Sequence, residues 1–503
     1  MENSKTEEII QKREKKLIDW IKQPSNLAIL GILILAFIVR LYYFIITKNQ
    51  ALWWDGACYG ALAKNLITHY WDNAVIILGE TEIRPPLMPF LWSLLLRLEL
   101  QELTIKFLFE FLPSLATVLL FYLVAEKMFN KRIAIFSSLI LAVSWIHVFY
   151  SMRLLTHIPA LFLSVLSIYF FLKAVETEKI HLVFFALSIF SAFLSILMRW
   201  SFGLIGIAYI LFLVFTRKLS FLKQKSFWIG GLLGTIPIII FFLINLIKVK
   251  HFFPALSVYG ASALSKSSYA FYTFGFFSHI LQLPFFILFL LGLAILLIQL
   301  ALGFGMIFKS KKLSYYSFLL TLLVLNLIFL VCFIRYAEDR YLFECFISII
   351  FIVALGIDYI YLFIKKYSKI IAIIFAVLVL LLGIYYQFNF GDNMIKEKAQ
   401  SFYQIKEAFL WLKDNTPENS SILSSGTDPW TIYYAERMQI SFNETMTLKE
   451  LNPDYVVVHA FPSQSKDFIP YLQNYEDKLI PLAQIFFDPD KTAPAVTIYK
   501  FKK

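Results

Sequence analysis

The run AILGILILAFIVRLYYFII, residues Ala28–Ile46, decides the fold. It has about the length, roughly 20 residues, that crosses bilayer hydrocarbon as a helix. Comparable runs recur near 107–125, 133–149, 157–174, 181–198, 202–215, 227–247, 279–302, 315–334, 342–363 and 370–387. That makes about eleven expected spans. Pro159, Pro237 and Pro284 lie inside or near them; membrane helices tolerate this when neighbours satisfy the freed backbone. Composition agrees. The 503 residues are 59% hydrophobic and 16% charged, with a mean hydropathy of +0.71. Soluble domains run nearer ~45–50% apolar and ~25% charged.

The net charge of +12 does not point to nucleic acid, because it is unevenly placed. Residues 389–503 carry 12 Lys+Arg and 15 Asp+Glu. The basic excess sits in short loops: Lys12, Arg13, Lys15 and Lys16; Lys127, Lys131 and Arg132; Lys173 and Lys179; Arg217, Lys218, Lys223 and Lys225; Lys309, Lys311 and Lys312; Lys365, Lys366 and Lys369. These fall on alternate loops. The positive-inside rule makes them cytoplasmic. An integral cell-membrane protein is expected, with its N-terminus inside and its 47–105 loop, 248–278 loop and C-terminal region outside. The stretch Thr6 to Lys22 is charged and amphipathic and precedes no small-residue cleavage site, so it reads as a cytoplasmic segment rather than a cleaved signal.

The expected fold class is mainly α, a polytopic helical bundle with a small C-terminal α/β domain. Residues 1–25 form the cytoplasmic segment, 26–388 the membrane module and 389–503 the outer domain. Lys396 to Asp414 reads as an amphipathic helix. Strands are expected at Ile422–Ser424, Tyr455–His459, Gln484–Phe487 and Ala495–Phe501, with helical stretches at Thr431–Arg437 and Asp467–Tyr475. Asn419-Ser420-Ser421 and Asn443-Glu444-Thr445 match the glycosylation sequon. Cys58, Cys332 and Cys345 are scattered, with no metal or disulfide spacing.

The long outer loop opens with Trp53-Trp54-Asp55-Gly56-Ala57-Cys58-Tyr59. Ala57 to Thr68 has helical apolar spacing and suits the membrane interface, where Trp and Tyr concentrate. Pro85-Pro86 breaks regular structure, and Leu87 to Leu98 returns to the bilayer boundary. Asp55 has a plain reading as the cap of the interfacial helix. Its functional reading is a general base: a partly desolvated carboxylate with raised proton affinity, placed to accept a proton from a hydroxyl. Arg84, Arg153, His157, Arg199, Arg335, Glu338, Asp339, Arg340 and Glu344 fall at expected outer ends of spans. Charges there are costly and are paired or functional. Arg335-Tyr336-Ala337-Glu338-Asp339-Arg340-Tyr341 reads either as a partly solvated turn or as part of a phosphate pocket, for which the planar Arg fork is suited.

These residues resemble those of the GT-C glycosyltransferases, in particular the dolichyl-phosphate-mannose protein mannosyltransferases and the lipid A aminoarabinose transferases. The likeness rests on order: a first span, an acidic residue opening a long outer loop, Arg84-Pro85-Pro86-Leu87, many spans, Arg340-Tyr341-Leu342 and an outer C-terminal domain. It implies a transferase that moves a sugar from a polyprenyl-phosphate donor to a hydroxyl on a protein, glycan or lipid acceptor at the outer membrane face. Asp55 matches the acidic residue of the first outer loop, which in such enzymes acts as base or orients the acceptor. Arg84 and Arg340, with Tyr341, Arg199 and Arg153, are the donor-phosphate candidates. Where many relatives have a second acid, this chain has Gly56; where the fourth span often opens on Asp, it has His157. Some aminoarabinose transferases place a metal-site Glu directly before the basic residue; here Ile83 stands there and Glu82 is one further away. Glu82, His251 and His279 are the candidate ligands for a divalent metal ion, without known ligand spacing. The competing reading is a multispan lipid or sugar-lipid transporter, which would move lipid without breaking the sugar–phosphate bond. No internal repeat of the transporter kind is evident.

Overall fold

The computed structural model describes residues 22–68, 84–248, 274–307, 309–333, 338–488 and 490–503. Among them, eight helices are long and apolar enough to cross a membrane, or nine if the bent pair Lys225–Gly234 and Ile236–Ile244 is one span. Two of the expected runs have other shapes. Near 133–149 the chain forms a helix at Lys131–Val143, breaks at Ser144 and resumes at Trp145–Tyr150. The run near 181–198 forms Leu182–Met198, 17 residues long. The mainly helical, multispan architecture is that of an integral membrane protein.

Apolar surface is distributed as lipid requires. In the helix Phe346–Lys365 every residue from Phe346 to Asp358 is buried, placing it at the centre. The helix Lys369–Glu397 keeps Ile370, Ile374, Leu378, Leu381 and Tyr385 exposed, as a lipid-facing helix does. Central packing is close. A Cβ on Gly292 would lie 2.0 Å from the Ile352 carbonyl oxygen, and one on Gly356 would lie 2.3 Å from that of Leu288. Small residues let these two backbones touch. Pro284 removes a helical N–H, and the helix bends at Gln282. The freed carbonyls are then satisfied by other helices: Gln387 Nε2 donates to Ile280 O at 3.0 Å and Leu281 O at 2.7 Å, and Trp145 Nε1 donates to Ile280 O at 3.0 Å.

Basic loops gather at one end. Lys127 pairs with Glu176 at 3.2 Å, Arg132 with Asp358 at 2.8 Å, and Lys131 reaches Ser25 Oγ at 3.3 Å. Arg217 Nη2 donates to Val175 O at 3.0 Å. The opposite end carries the interfacial helix Trp54–Thr68, the helix Leu87–Arg97 and the C-terminal region.

That region holds one five-stranded sheet in the order β2-β1-β3-β5-β4, with β1 Ser421–Ser424, β2 Met438–Ser441, β3 Tyr455–His459, β4 Leu479–Phe486 and β5 Pro494–Phe501. β1 runs parallel to β2 and β3, whereas β5 is antiparallel to β3 and β4. β2 has no counterpart among the expected strands: it is a half-exposed edge without an apolar run. The single helix expected over Lys396 to Asp414 is two. The membrane helix continues to Glu397, Phe402 turns left-handed at φ 62°, and a new helix runs Tyr403–Asn415. The sheet region is fastened to the first outer loop. Buried Trp430 donates Nε1 to Leu52 O at 2.8 Å, and Tyr434 Oη accepts from Leu52 N at 2.9 Å. Trp54 meets Trp430 edge-on at 5.4 Å.

Candidate active site

Asp55 lies in the first turn of Trp54–Thr68, inside the helix rather than ahead of it. Its carboxylate is turned to two arginines. Oδ1 accepts from Arg84 Nη1 at 2.8 Å, and Oδ2 accepts from Arg340 Nη1. The plain capping reading therefore gives way to an ion cluster. Arg84 is delivered by Pro85-Pro86, just before Leu87–Arg97, and lies 29 residues along the chain; Arg340 comes from 285 residues away. Arg340 sits in the short 3₁₀ turn Asp339–Cys345 that opens the central helix, and it also pairs with Glu338. The Arg84 and Arg340 side chains are 12% and 17% exposed, so this is a half-desolvated pocket and not a solvated turn.

The electrostatics correct one expectation. Burial pushes the Asp55 carboxyl upward, but the Arg340 and Arg84 guanidiniums outweigh it and hold the group below its ordinary value. In this state Asp55 is a stabilised carboxylate rather than one of raised proton affinity.

Around this pair the chain assembles further groups. Tyr341 lies under both the Arg340 and Arg199 guanidiniums, at 5.6 and 5.3 Å from its ring centre. Arg199, at the end of Leu182–Met198, donates Nε to Glu344 Oε1 at 2.9 Å; Ser201 Oγ donates to the same oxygen. Tyr59, one turn after Asp55, stacks beneath Arg84 at 5.3 Å. Tyr150 Oη donates to Asp339 Oδ1 at 2.6 Å. His157 opens the helix His157–Ala174 with its ring beside Tyr150 and Phe343. Both its ring nitrogens are buried without a hydrogen-bond partner among the described residues.

Tyr59, Tyr150 and Ser201 are absent from the sequence candidates. Only their contacts mark them, because interfacial Tyr and Ser carry no distinctive spacing. Gly56 has a steric reason: a Cβ there would stand 2.7 Å from the Leu154 carbonyl oxygen. A second acid at this place has no room. Arg153 is separated from the cluster's ion pairs. It lies between the rings of Trp53 and Phe149, at 4.2 and 3.4 Å, and donates Nη1 to Phe149 O at 2.6 Å.

Of the metal candidates, Glu82 and His251 lie outside the described residues, as does Arg335. His279 is packed among Trp145, Phe276 and Phe390, at 5.4, 6.2 and 5.0 Å. Among the described residues no group of three or more His, Cys, Asp or Glu is placed to hold an ion. Both Asp55 oxygens face guanidiniums, which oppose a cation.

Residues 83–244 match the family model described as dolichyl-phosphate-mannose-protein mannosyltransferase. No curated protein sequence matches the chain. Solved structures share its fold. The oligosaccharyltransferase AglB of Archaeoglobus fulgidus, solved with an inhibitory peptide and a dolichol-phosphate, is 16% identical, with a TM-score of 0.59 over 95% of this chain and 74% of that one. Another structure of the Archaeoglobus enzyme is a complex with Zn and sulfate. ArnT from Cupriavidus metallidurans, bound to undecaprenyl phosphate, is 11% identical, with a TM-score of 0.65 over 93% and 97%. The mycobacterial arabinofuranosyltransferase AftD is 14% identical, with a TM-score of 0.51 over 92% and 41%.

Proposed function

We propose that this chain, which carries the fold of the GT-C membrane glycosyltransferases, transfers a sugar from a polyprenyl-phosphate donor to an acceptor hydroxyl at the outer face of the membrane. The observation that carries the reading is the sharing of one carboxylate, Asp55, between Arg84 and Arg340, at the end of the bundle away from the basic loops. By the positive-inside rule those loops lie in the cytoplasm, which puts the cluster outside.

The donor's phosphate is itself the leaving group, so no acid is needed to protonate a departing sugar oxygen. Two guanidiniums aimed at the phosphate stabilise the charge it gains as the bond breaks. A donor phosphate competes with Asp55 for the same two cations. As it takes them, the carboxylate loses the interactions that hold its proton affinity down, and it becomes a base when the donor is in place. The acceptor O–H then gives its proton to Asp55. Its oxygen bonds to the anomeric carbon as the bond from that carbon to the phosphate oxygen breaks, with inversion, and polyprenyl phosphate departs. Tyr341, beneath Arg340 and Arg199, orients the two guanidiniums. Arg199 itself is engaged by Glu344 and serves as a positioning residue. A divalent metal, suggested by the family likeness, has no donor set among the described residues, and no step is assigned to one.

The test is transfer by purified protein from a polyprenyl-phosphate sugar carrying a labelled sugar. Release of polyprenyl phosphate with label on an acceptor supports the reading. Movement of intact labelled lipid between leaflets, with the sugar–phosphate bond whole, overturns it and leaves a transporter.

A further inference from the structure

A second cluster of cations lies beside the first outer loop, away from the Asp55 ion pairs. A small, partly open crevice, with about 20 Å³ accessible to water, is lined by Lys48, Trp53, Lys106 and Arg153, with Gln50 and Glu102. Arg153 is 4% exposed and Lys106 is 6% exposed. Lys106 Nζ donates to Thr47 O and Oγ1, each at 3.0 Å.

Arg153 uses only one edge of its guanidinium. Nη1 donates to Phe149 O, whereas Nε and Nη2 are buried with no hydrogen-bond partner among the described residues. Those two N–H groups form the side-on fork that grips two oxygens of one anion. The Trp53 indole N–H, lining the same crevice, is also buried and unpartnered among the described residues. A buried donor left unmade costs about 1–3 kcal/mol, and more when charged, so three together call for an explanation. The acids nearby are engaged elsewhere, at least through one oxygen: Asp339, whose charge reaches Arg153, accepts from Tyr150 Oη at 2.6 Å. Glu102 is held by Lys406 at 2.9 Å. Buried Glu110, which does not line the crevice, accepts from Leu155 N through Oε1 at 2.8 Å and keeps Oε2 without a partner among the described residues. The lining thus combines unpaired donors with two lysine side chains and one carboxylate already paired with Lys406, and it suits a ligand that only accepts hydrogen bonds and carries negative charge.

We infer that this crevice, lined by Arg153, Trp53, Lys106 and Lys48, is a second anion site that binds one phosphate group. The phosphate is either free or the headgroup of a lipid. The site is separate from the Asp55 pocket and does not depend on the transferase reading.

Binding is measured by calorimetry on the full chain in neutral detergent, with inorganic phosphate and with a short-chain phosphatidic acid as probes. Chloride at equal ionic strength is the blank. The Arg84→Gln/Arg340→Gln protein, which lacks the phosphate clamps of the Asp55 pocket, should retain one saturable site. Adding Arg153→Gln to it should weaken that site at least tenfold. Adding Lys48→Gln, a change at an exposed position that leaves the core untouched, should weaken it about threefold. Binding of both probes identifies a free-phosphate site, and binding of the lipid alone identifies a headgroup site. The inference is overturned if neither probe saturates in the Arg84→Gln/Arg340→Gln protein, or if Lys48→Gln and Arg153→Gln both leave its affinity unchanged.

Discussion

At the basic end of the bundle, Lys131 stands 4.0 Å from Glu126 with side chains 54% and 36% exposed, and Lys127 meets a Glu176 that is 58% exposed. At the other end one carboxylate, Asp55, is divided between two arginines that are 12% and 17% exposed. The first arrangement suits water and salt, where such pairs contribute little and their main effect is on orientation. The second draws its members from three separate segments into a partly dry pocket, where interactions are stronger and a competing anion rearranges them. The contrast separates charges that orient the chain from charges placed to act on a ligand.

The sharpest way to break this contrast is Asp55→Asn. We expect transfer to fall ~10²–10⁴-fold, the range for losing a general base, with the protein still extracted as a folded monodisperse species. Near-normal turnover would remove Asp55 from the chemistry. Next comes the fastening of the sheet region to the first outer loop. Trp430→Ala empties a fully buried site and strips Leu52 O of its donor. A loss of about 3–5 kcal/mol is expected for a buried Trp, read as a lower unfolding temperature with activity lost in parallel. An unchanged melting point would show that the two parts hold their places independently.

Arg340→Lys and Arg84→Lys keep the charge but lose the planar fork. Each should lower kcat/KM by roughly 10–100-fold, which corresponds to about 1.4–2.8 kcal/mol. Loss at both, with little change for Lys127→Gln at the opposite end, would confirm the contrast. Gly56→Asp, which would add a second acid beside Asp55, should instead destabilise by about 1–3 kcal/mol through overpacking against Leu154 O. A stable variant of raised activity would refute that steric account. The smallest effect is expected for Lys127→Gln, less than about 1 kcal/mol in thermal unfolding.

Much of the fold was legible from periodicity and length. The apolar runs, the alternating basic loops and four of the five strands follow from local composition. β2 escaped because an edge strand with one covered face needs no apolar run. The split at Ser144 and the two-helix form of 369–415 escaped because apolar runs show where hydrocarbon is, and not where a helix turns. At the site, Asp55, Arg84, Arg340 and Tyr341 stood out by motif. Arg153 stood out by charge alone, and its surroundings proved to be different ones. Tyr59, Tyr150 and Ser201 carried no signal, because a hydroxyl's role depends wholly on the partner it meets.

By itself the sequence determined a multispan helical protein with one charged face and a likeness to GT-C enzymes, since burial in lipid is written residue by residue as hydropathy. Only the tertiary structure decided that Asp55 is a stabilised ion shared by Arg84 and Arg340, that Gly56 leaves no space for a second acid, and that Arg153 faces another crevice. Electrostatics and sterics depend on distances between segments as far as 285 residues apart, and a linear pattern carries no such distances.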